Sequence, residues 1–291
     1  MAEVDTFVSL RPLLFSVAYR MLGSATEAED VLQEAFLRWA DIPDAQVSSP
    51  RSYLTTVVVR LCVDQLRSAR VRRESYVGTW LPEPLLMDPA PDASAAAELS
   101  DSVSLAFLVL LEELTPVERA AFLLREVFGY PYPEVAAMLD KTEAACRQLV
   151  SRARRHVAER RSRFDADRDR SRELTRRFMA ACATGDLDGL LSMLAQDVVV
   201  WSDGGGKAQA PRRPVYGADK TARLIVGIGT RMTPGSAFRE VNLNGQPGLI
   251  VVLDGVVTGA LVLDVLDGQV SAIRLLTNPD KLAALRPAAG P

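Results

Sequence analysis

Apolar residues recur at intervals of three and four along the first quarter of the chain, a spacing typical of amphipathic helices. One apolar stripe covers residues 7–22 and is followed by Gly23, which suits a helix end. The pattern predicts a second helix over residues 27–39 and, after Pro50, a third over residues 51–73. We therefore expect a helical module at the start of the chain.

The second predicted helix has a further surface beside its apolar stripe. Its members share helical spacing and mix acidic, amide and apolar side chains: Asp30, Gln33, Glu34 and Leu37. Such a surface is either an ordinary solvated helix face or a docking site for a partner.

Arginines accumulate toward the end of the third predicted helix. The set consists of Arg60, Arg67, Arg70, Arg72 and Arg73. Basic residues suit the negative end of a helix dipole, and with nearby aromatic rings they also suit a DNA backbone or an unstacked strand.

Residues 132–155 have the layout of a helix-turn-helix. A short helix is interrupted at Asp140, which tolerates the left-handed backbone of a tight turn. Thr142 suits the N-cap of a second helix, and Glu143 places a carboxylate in its first turn. The polar outer face of that second helix contains Arg147, Gln148, Ser151, Arg152, Arg154 and Arg155. This helix could lie in a DNA major groove, and an ordinary helical hairpin with a solvated basic face fits the same stretch.

Residues 74–100 separate the two helical segments. Four prolines, several acidic residues and an alanine run predict a flexible linker. A Trp and a Leu in such a linker need an apolar cover, so we expect one pentapeptide to dock on a folded surface. It consists of Trp80, Leu81, Pro82, Glu83 and Pro84.

Beyond residue 164 the pattern predicts an α+β unit. Helices are expected over residues 170–183, 187–194 and 220–226. Predicted strands cover residues 197–202, 239–243, 249–253, 256–265 and 270–276. Three dipeptides that favour tight hairpin turns separate the last four strands: Asn244-Gly245, Asp254-Gly255 and Asp267-Gly268. These strands should form an antiparallel meander.

Charge is distributed unevenly along the chain. The formal net charge of the 291 residues is only −3, which disfavours indiscriminate nucleic-acid binding. Residues 141–177, however, contain thirteen Lys or Arg and six Asp or Glu, whereas residues 178–291 contain ten of each sign. The basic charge is local, as a DNA-reading segment requires.

Several functional classes are disfavoured by what the chain contains. Cys62, Cys146 and Cys182 are isolated and odd in number, so each is predicted to be a buried, reduced thiol. With His156 as the single histidine, no metal-ligand cluster can be assembled, and we expect neither metal nor cofactor. The absence of a leader pattern and of an apolar run of about 18 residues predicts a cytoplasmic protein without membrane association.

The order of these motifs resembles the extracytoplasmic-function group of RNA polymerase sigma factors. The resemblance rests on residues 28–37 (AEDVLQEAFL), on residues 53–67, and on residues 114–125 followed by the helix-turn-helix. It covers residues 7–158 in the family order. The chain departs from the family pattern at Arg60, where members often have Asn, and at Asp140 and Lys141 in the turn.

The resemblance implies roles for the candidate residues. Asp30, Gln33, Glu34 and Leu37 would dock on polymerase core, whose contacts in this family are the β′ clamp and the β flap. The arginines of the third helix would bind and melt the promoter element near −10. The second helix of the helix-turn-helix, with Thr142, would read the element near −35, and the rest of the linker would run near the polymerase active centre.

The last part of the chain resembles a SnoaL-like, nuclear-transport-factor-like cone, which a subgroup of these sigma factors carries. The first signature stretch of the subgroup is the linker pentapeptide. The second is Asp203, Gly204, Gly205, Gly206 and Lys207, and the third is Asn278, Pro279, Asp280, Lys281 and Leu282. We expect the last two stretches to meet the linker or the N-terminal module and to regulate the factor.

Other functions for the cone are less favoured by its residues. The loop at residues 203–207 lacks the second Gly and the Ser or Thr of a phosphate-binding loop. The segment from residue 164 has no histidine, and nothing in the sequence pairs its candidate acids Asp203, Asp219 and Asp264 for catalysis. A small ligand in the cone remains an alternative to an intramolecular regulatory module.

The predicted fold is multidomain. It has two all-α domains for polymerase and DNA binding, the second with a helix-turn-helix, followed by an α+β cone with a curved antiparallel sheet. The expected boundaries are 1–73, a linker over 74–100, then 101–163 and 164–291. The predicted function is a sigma factor regulated in cis by its cone, and the alternatives are a ligand-sensing helix-turn-helix regulator and an enzyme with a DNA-binding appendage.

Overall fold

The computed structural model describes residues 2–41, 47–74, 76–87, 103–161 and 168–285. Two compact units are present: Met1–Glu74 with Leu108–Arg160, and Ser75–Phe107 with Arg161–Pro291. Predictions for linker residues 88–100 lie outside the described part of the chain. The side chains of Arg70, Arg72 and Arg73 are likewise outside it.

The regular secondary structure described in the first unit is helical. In chain order the helices as far as residue 161 are α1 (Ala2–Leu22), α2 (Ala25–Ala40), α3 (Pro50–Glu74), α4 (Leu105–Glu112), α5 (Pro116–Phe122), α6 (Tyr132–Leu139) and α7 (Glu143–Arg161). A π-helical turn at Leu123–Val127 follows α5. The three helices predicted before residue 74 are confirmed, each with a few more residues at its ends.

Local side-chain chemistry explains where several of these helices begin and turn. Ser24 Oγ accepts a hydrogen bond from the Glu27 amide at 3.1 Å, as an N-cap of α2 should. Thr142 Oγ1 accepts from the Ala145 amide at 3.2 Å at the start of α7. Asp140 has a φ of 52°, the left-handed conformation that the turn between α6 and α7 requires. The helix-turn-helix prediction is therefore confirmed in its backbone.

The second unit places helices against one sheet. Its elements are α8 (Arg168–Thr184), α9 (Leu187–Met193), β1 (Leu194–Asp203), β2 (Val215–Tyr216), α10 (Ala218–Gly229), β3 (Ala237–Leu243), β4 (Gln246–Leu253), β5 (Val256–Leu266), β6 (Gln269–Leu276) and α11 (Pro279–Leu282). The described strands have the order β2-β1-β6-β5-β4-β3. Phe178, Val198 and Ile273 lie in the core between helices and sheet and are fully buried.

The hairpin predictions are confirmed by the backbone. Asn244, Asp254 and Asp267 all have φ near 50°, and the glycine after each also has a positive φ, as two-residue hairpin turns require. Strands β3 to β6 pair antiparallel in sequence.

The prediction of a purely antiparallel sheet is wrong at the edge formed by β1 and β2. Strand β1 pairs parallel with β6, and the short strand β2, which was not predicted, pairs antiparallel with β1. Parallel neighbours need a long crossover, and here the chain between β1 and β6 includes α10 and the whole meander. The sheet as a whole is curved and mostly antiparallel, as expected for the cone.

Candidate functional site

Helix α2 presents two distinct faces. The residues toward the core are buried: Val31, Leu32, Ala35 and Trp39. The opposite residues, which we call the acidic face, are exposed: Asp30, Gln33, Glu34 and Leu37. Leu37 is 60% accessible, an unusual exposure for a large apolar side chain beside carboxylates. Among the described residues, none packs over this face so as to bury it.

The outer face of α7 is also exposed. It contains the predicted candidates Arg147, Gln148, Ser151, Arg152, Arg154 and Arg155. Arg147 Nη2 lies 2.7 Å from a Glu143 oxygen, and Arg152 Nε lies 3.1 Å from a Glu118 oxygen. Exposed ion pairs of this kind are worth less than about 1 kcal/mol, so a phosphate can replace the carboxylate at little cost.

Arg154 is held more firmly than its neighbours on α7. Its Nε and Nη2 donate to the two carboxylate oxygens of Glu126 at 2.8 and 2.7 Å. This bidentate pair fixes the plane of the guanidinium. It crosses from α7 to the π-helical turn and therefore also braces the helix-turn-helix.

Tyr132 forms a stack that the sequence analysis did not identify. The Arg125 guanidinium lies 4.9 Å from the centre of the Tyr132 ring, and the Arg147 guanidinium lies 5.1 Å from it. Both separations are within the range of a cation–π interaction. The sequence signal for this stack was an aromatic residue at the start of α6, the helix that a tight turn joins to the basic helix α7.

Arg60 does not extend freely from α3. Its Nε donates to the Met138 carbonyl at 3.2 Å and its Nη2 to the Ala137 carbonyl at 3.5 Å. These carbonyls end α6, where a cation is favoured by the helix dipole. Arg67, by contrast, is exposed on α3 and pairs with Asp64 at 3.2 Å.

Further contacts fasten the first three helices to the helix-turn-helix part of the same unit. The side chain of Arg119 is 3% accessible, and its Nη1 lies 2.7 Å from Glu112 Oε1 and 2.5 Å from the Met21 carbonyl. The hydroxyls of Thr55 and Tyr130 lie 3.1 Å apart. We call the first unit closed, because these contacts hold its first three helices against its helix-turn-helix part.

In the second unit, Asp203 at the end of β1 organises a contact with the linker. The residue is fully buried. Its carboxylate accepts from the Tyr76 hydroxyl at 2.6 Å, the Leu81 amide at 2.8 Å and the Lys281 ammonium at 2.7 Å. The Gly205 amide donates to the same carboxylate at 3.1 Å. Four donors satisfy a buried charge that would otherwise be costly.

Asn278 and Lys281 complete this site. Asn278 Nδ2 donates to the Tyr76 hydroxyl at 2.9 Å. Lys281 Nζ donates to the Leu81 carbonyl and lies 4.2 Å from the centre of the Trp80 ring. We call these groups the linker clamp: Tyr76, Trp80, Leu81, Asp203, Asn278 and Lys281. Burial, followed by the hydrogen bond to Asp203, raises the pKa of Tyr76, so its hydroxyl keeps the proton that it donates.

Two glycines of the signature loop are required by the clamp geometry. A Cβ on Gly205 would lie 2.3 Å from Asn278 Nδ2, and one on Gly206 would lie 3.2 Å from Val77. Both glycines also have positive φ. The absence of side chains at these two positions thus lets the loop backbone approach Asn278 and Val77 closely.

Other members of the three signature stretches have different positions. Lys207 pairs with Asp280 at 2.5 Å on the surface. The linker residues Pro82, Glu83 and Pro84 are buried, as the docking prediction requires. Gly204 packs against Ala208, Pro279 opens α11, and Leu282 is buried behind it.

Asn244 provides a second anchor that sequence reasoning missed. Its Oδ1 accepts from the Leu85 amide at 2.9 Å, and its Nδ2 donates to the Val103 carbonyl at 2.8 Å. The Met87 amide donates to the Asn242 carbonyl at 3.0 Å, so the linker extends the edge of β3. The Asn-Gly dipeptide predicted a hairpin, and the side chain of Asn244 also binds the two segments that flank residues 88–102.

The predicted acids of the cone do not converge on a reaction centre. Asp219 pairs with Arg223 on the surface. Asp264 is buried beside Arg274, and its burial raises the pKa of the carboxyl. Cys62 and Cys146 are buried, whereas Cys182 is only half-buried because it borders a cavity inside the cone. Burial raises the pKa of Cys182 to about 12.

Among the described residues, no group of His, Cys, Asp and Glu is arranged to hold a metal ion. The helices in this part of the chain lack the combination of length and apolar composition that a membrane span needs.

Comparisons with known proteins agree with this geometry. A family model for sigma-70 region 2 matches residues 6–72, and one for sigma-70 region 4 matches residues 104–157. These regions define a sigma factor of RNA polymerase, and the chain belongs to the extracytoplasmic-function group of that family.

Particular relatives are similar over nearly the whole chain. The sigma factor SigJ of Mycobacterium tuberculosis is 44% identical over 290 residues, which cover 96% of this chain and 93% of SigJ. The probable sigma factor SigI of the same organism is 34% identical over 279 residues, 95% of this chain and 93% of SigI. The crystal structure of SigJ aligns with a TM-score of 0.77 at 40% identity, over 97% of this chain and 98% of that one.

These findings confirm the predicted family and fold class: two sigma helical domains followed by a SnoaL-like α+β cone. The chain is a sigma factor for promoter-specific transcription initiation. Its relatives are transcription regulators rather than enzymes.

Proposed function

We propose that this sigma factor brings polymerase core to specific promoters in the cytoplasm, catalyses no reaction of its own, and is restrained in cis by its cone. The observation that carries the proposal is the linker clamp, in which the buried carboxylate of Asp203 holds Tyr76 and Leu81. Because the cone is fused to the chain, its effective concentration at the linker is high. A linker segment held on the cone cannot at the same time occupy a channel of the polymerase.

The acidic face of α2 is our candidate for core docking, with the β′ clamp as the partner and the β flap as a second contact. The support is that Asp30, Gln33, Glu34 and Leu37 are exposed and are not needed for the packing of α2. An exposed Leu among acidic side chains combines an apolar anchor with charges that orient a basic partner.

For the element near −35, we assign base-edge contacts to Arg147 and Gln148 and phosphate contacts to Arg152, Arg154 and Arg155. Ser151 and Thr142 are both exposed and are assigned to the DNA backbone. Arginine binds guanine bidentately and glutamine binds adenine, whereas the remaining residues position the protein. Arg67 and the other arginines of α3 are assigned to the element near −10.

The closed first unit supports an additional step. Elements named for positions −10 and −35 are separated by roughly 25 base pairs, or roughly 85 Å at about 3.4 Å per pair. While Arg60 of α3 binds the carbonyls that end α6, the two modules cannot span that distance. We infer that Arg60 contacts DNA only after the unit opens, and that core binding drives the opening.

A direct test separates this proposal from the ligand-sensing regulator. Run-off transcription with purified core should give promoter-specific transcripts only when the full-length chain is added. The same chain without core should bind duplex promoter DNA weakly, because its two DNA modules are closed together. Tight, sequence-specific duplex binding without core, and no transcripts with it, would instead support the regulator.

The Tyr132 stack leads to a more specific prediction about base reading. Arg147→Ala should cost about 1–3 kcal/mol at a single base pair of the element near −35. Tyr132→Leu should weaken preference at that same pair by a few-fold, because it removes the ring under the Arg147 guanidinium. Tyr132→Phe keeps the ring and is the matched control.

The measurement is transcription from promoters that differ by one base pair across the element. If Tyr132→Leu reduces output equally on every promoter, the ring serves stability alone. If Arg147→Ala leaves the preference unchanged at all positions, the base contact itself is wrongly assigned.

A further inference from the structure

The cone contains a cavity, partly open to solvent near the exposed Thr258, that none of the proposed sigma functions uses. Its volume is about 170 Å³, and its lining comes from the helices α8 and α10 and from strands β3 to β6. Phe178, Ile225 and Phe238 contribute apolar walls, and Leu249, Leu261 and Leu275 contribute the floor. A pocket lined by Leu, Ile and Phe and of about 150 Å³ stays dry and admits benzene or xenon.

The lining explains which chemistry the cavity accepts. Among the described residues that line it, none carries a charge, and the polar side chains are Cys182, Thr258 and Thr277. Thr258 donates to the Val251 carbonyl and Thr277 to the Asp203 carbonyl, both at 3.4 Å. Each hydroxyl therefore retains lone pairs that can accept one hydrogen bond. A charged guest would lose its hydration without compensation.

The cavity exists in part because glycines, which have no side chain, border it. Gly259 lies in the middle of β5 opposite Val251, where a glycine weakens a strand and often marks the close approach of a ligand. A Cβ at Gly259 would meet Val251 at an ordinary 3.6 Å, so the backbone there does not require glycine. Gly229 at the end of α10 borders the same cavity. Space of this size lowers the stability of a core unless something occupies it.

We propose that this cavity is a binding site for a small, uncharged, mainly apolar molecule, of the size of one substituted aromatic ring, with at most one hydrogen-bond donor. The proposal is independent of the assigned polymerase and DNA surfaces, because its residues belong to the interior of the cone. It adds a ligand-binding activity to a transcription factor.

The test uses the full-length chain with carbon-13 methyl-labelled methionine. Met232 borders the cavity, and its resonance can be assigned with Met232→Leu. Toluene is the probe, and we expect a saturable ring-current shift of the Met232 methyl group. Benzoate has a similar ring with a carboxylate, and it should leave that resonance unchanged.

Two matched substitutions locate the site. Gly259→Val directs two methyl groups into the cavity in a strand that favours β-branched residues, and it should weaken toluene binding at least tenfold. Gly227→Val adds the same group where a Cβ would meet nothing within 4 Å, and it should leave binding unchanged. Gly259→Ala, with one added methyl, should have an intermediate affinity and serves if the valine variant does not fold.

The outcomes are decisive in both directions. A saturable shift with toluene that is lost or weakened in the Gly259 variants supports the site. The proposal is overturned if toluene gives no saturable shift, if the Gly259 variants bind it as the parent does, or if benzoate binds equally well.

Discussion

Replacing Asp203 by Asn should release the linker from the cone and raise transcription at a fixed concentration of the factor. The substitution keeps the shape of the side chain but removes the charge that Lys281 pairs with at 2.7 Å. The Lys281 side chain is only 12% accessible, so its ammonium would remain buried without its carboxylate. Removing one partner of a buried ion pair costs about 3–5 kcal/mol. We expect a loss of this size in the free energy of docking to be enough to detach a short linker segment.

The released segment can be observed directly. The Leu81 amide donates to Asp203, so its hydrogen exchange should accelerate by orders of magnitude in Asp203→Asn. Asp280→Asn is the control, because it removes a carboxylate of the neighbouring helix α11 whose pair with Lys207 is solvent-exposed and weak. If Leu81 exchange accelerates but transcription does not rise, the cone holds the linker without restraining the factor.

The second large effect is expected at the acidic face of α2. Asp30→Ala combined with Glu34→Ala should lower the affinity for polymerase core by more than about 100-fold, because a few residues carry most of the binding energy of an interface and truncating a buried charge pair leaves its partner unpaired. Helicity and thermal stability should stay close to those of the parent, since both side chains are exposed. Leu37→Ala should also weaken binding, by removing the apolar anchor.

Glu29→Ala is the matched control for this face. It removes one carboxylate from the same helix, at the edge of the acidic face, where that carboxylate pairs with Arg11 of α1 at 2.6 Å. Core pull-down and fluorescence anisotropy would measure both variants. Retention of core by the double variant, or an equal loss in Glu29→Ala, would falsify the assignment of the docking face.

Sequence reasoning succeeded where the decisive interactions are local. Asp140 takes the left-handed conformation that ends α6, and Thr142 caps α7, because both effects act within a few residues. The hairpins at Asn244, Asp254 and Asp267 follow from the same kind of short-range chemistry. The exposed face of α2 was also readable, because helical periodicity alone separates it from the buried stripe.

Contacts between distant residues could not be obtained in this way. The parallel pairing of β1 with β6 joins residues about seventy positions apart, and no local pattern specifies it. The sequence suggested Arg60 as a DNA contact because it is one of several arginines on α3. Only the packing of α3 against α6 brings it to the carbonyls of Met138 and Ala137. The pair between Lys207 and Asp280 likewise joins residues that are far apart in the sequence.

By itself the sequence determined the first three helices, the helix-turn-helix and the tight turns, since periodicity, capping and turn chemistry act over a few residues. The family and the three signature stretches came from the resemblance of its motifs to known sigma factors. The tertiary structure decided which atoms meet. It placed Tyr76 and Leu81 on the carboxylate of Asp203, used Asn244 as a second anchor, and left a cavity beside Gly259. These outcomes depend on how the sheet curves and on which surfaces fold together, and such long-range geometry is not encoded in any single segment.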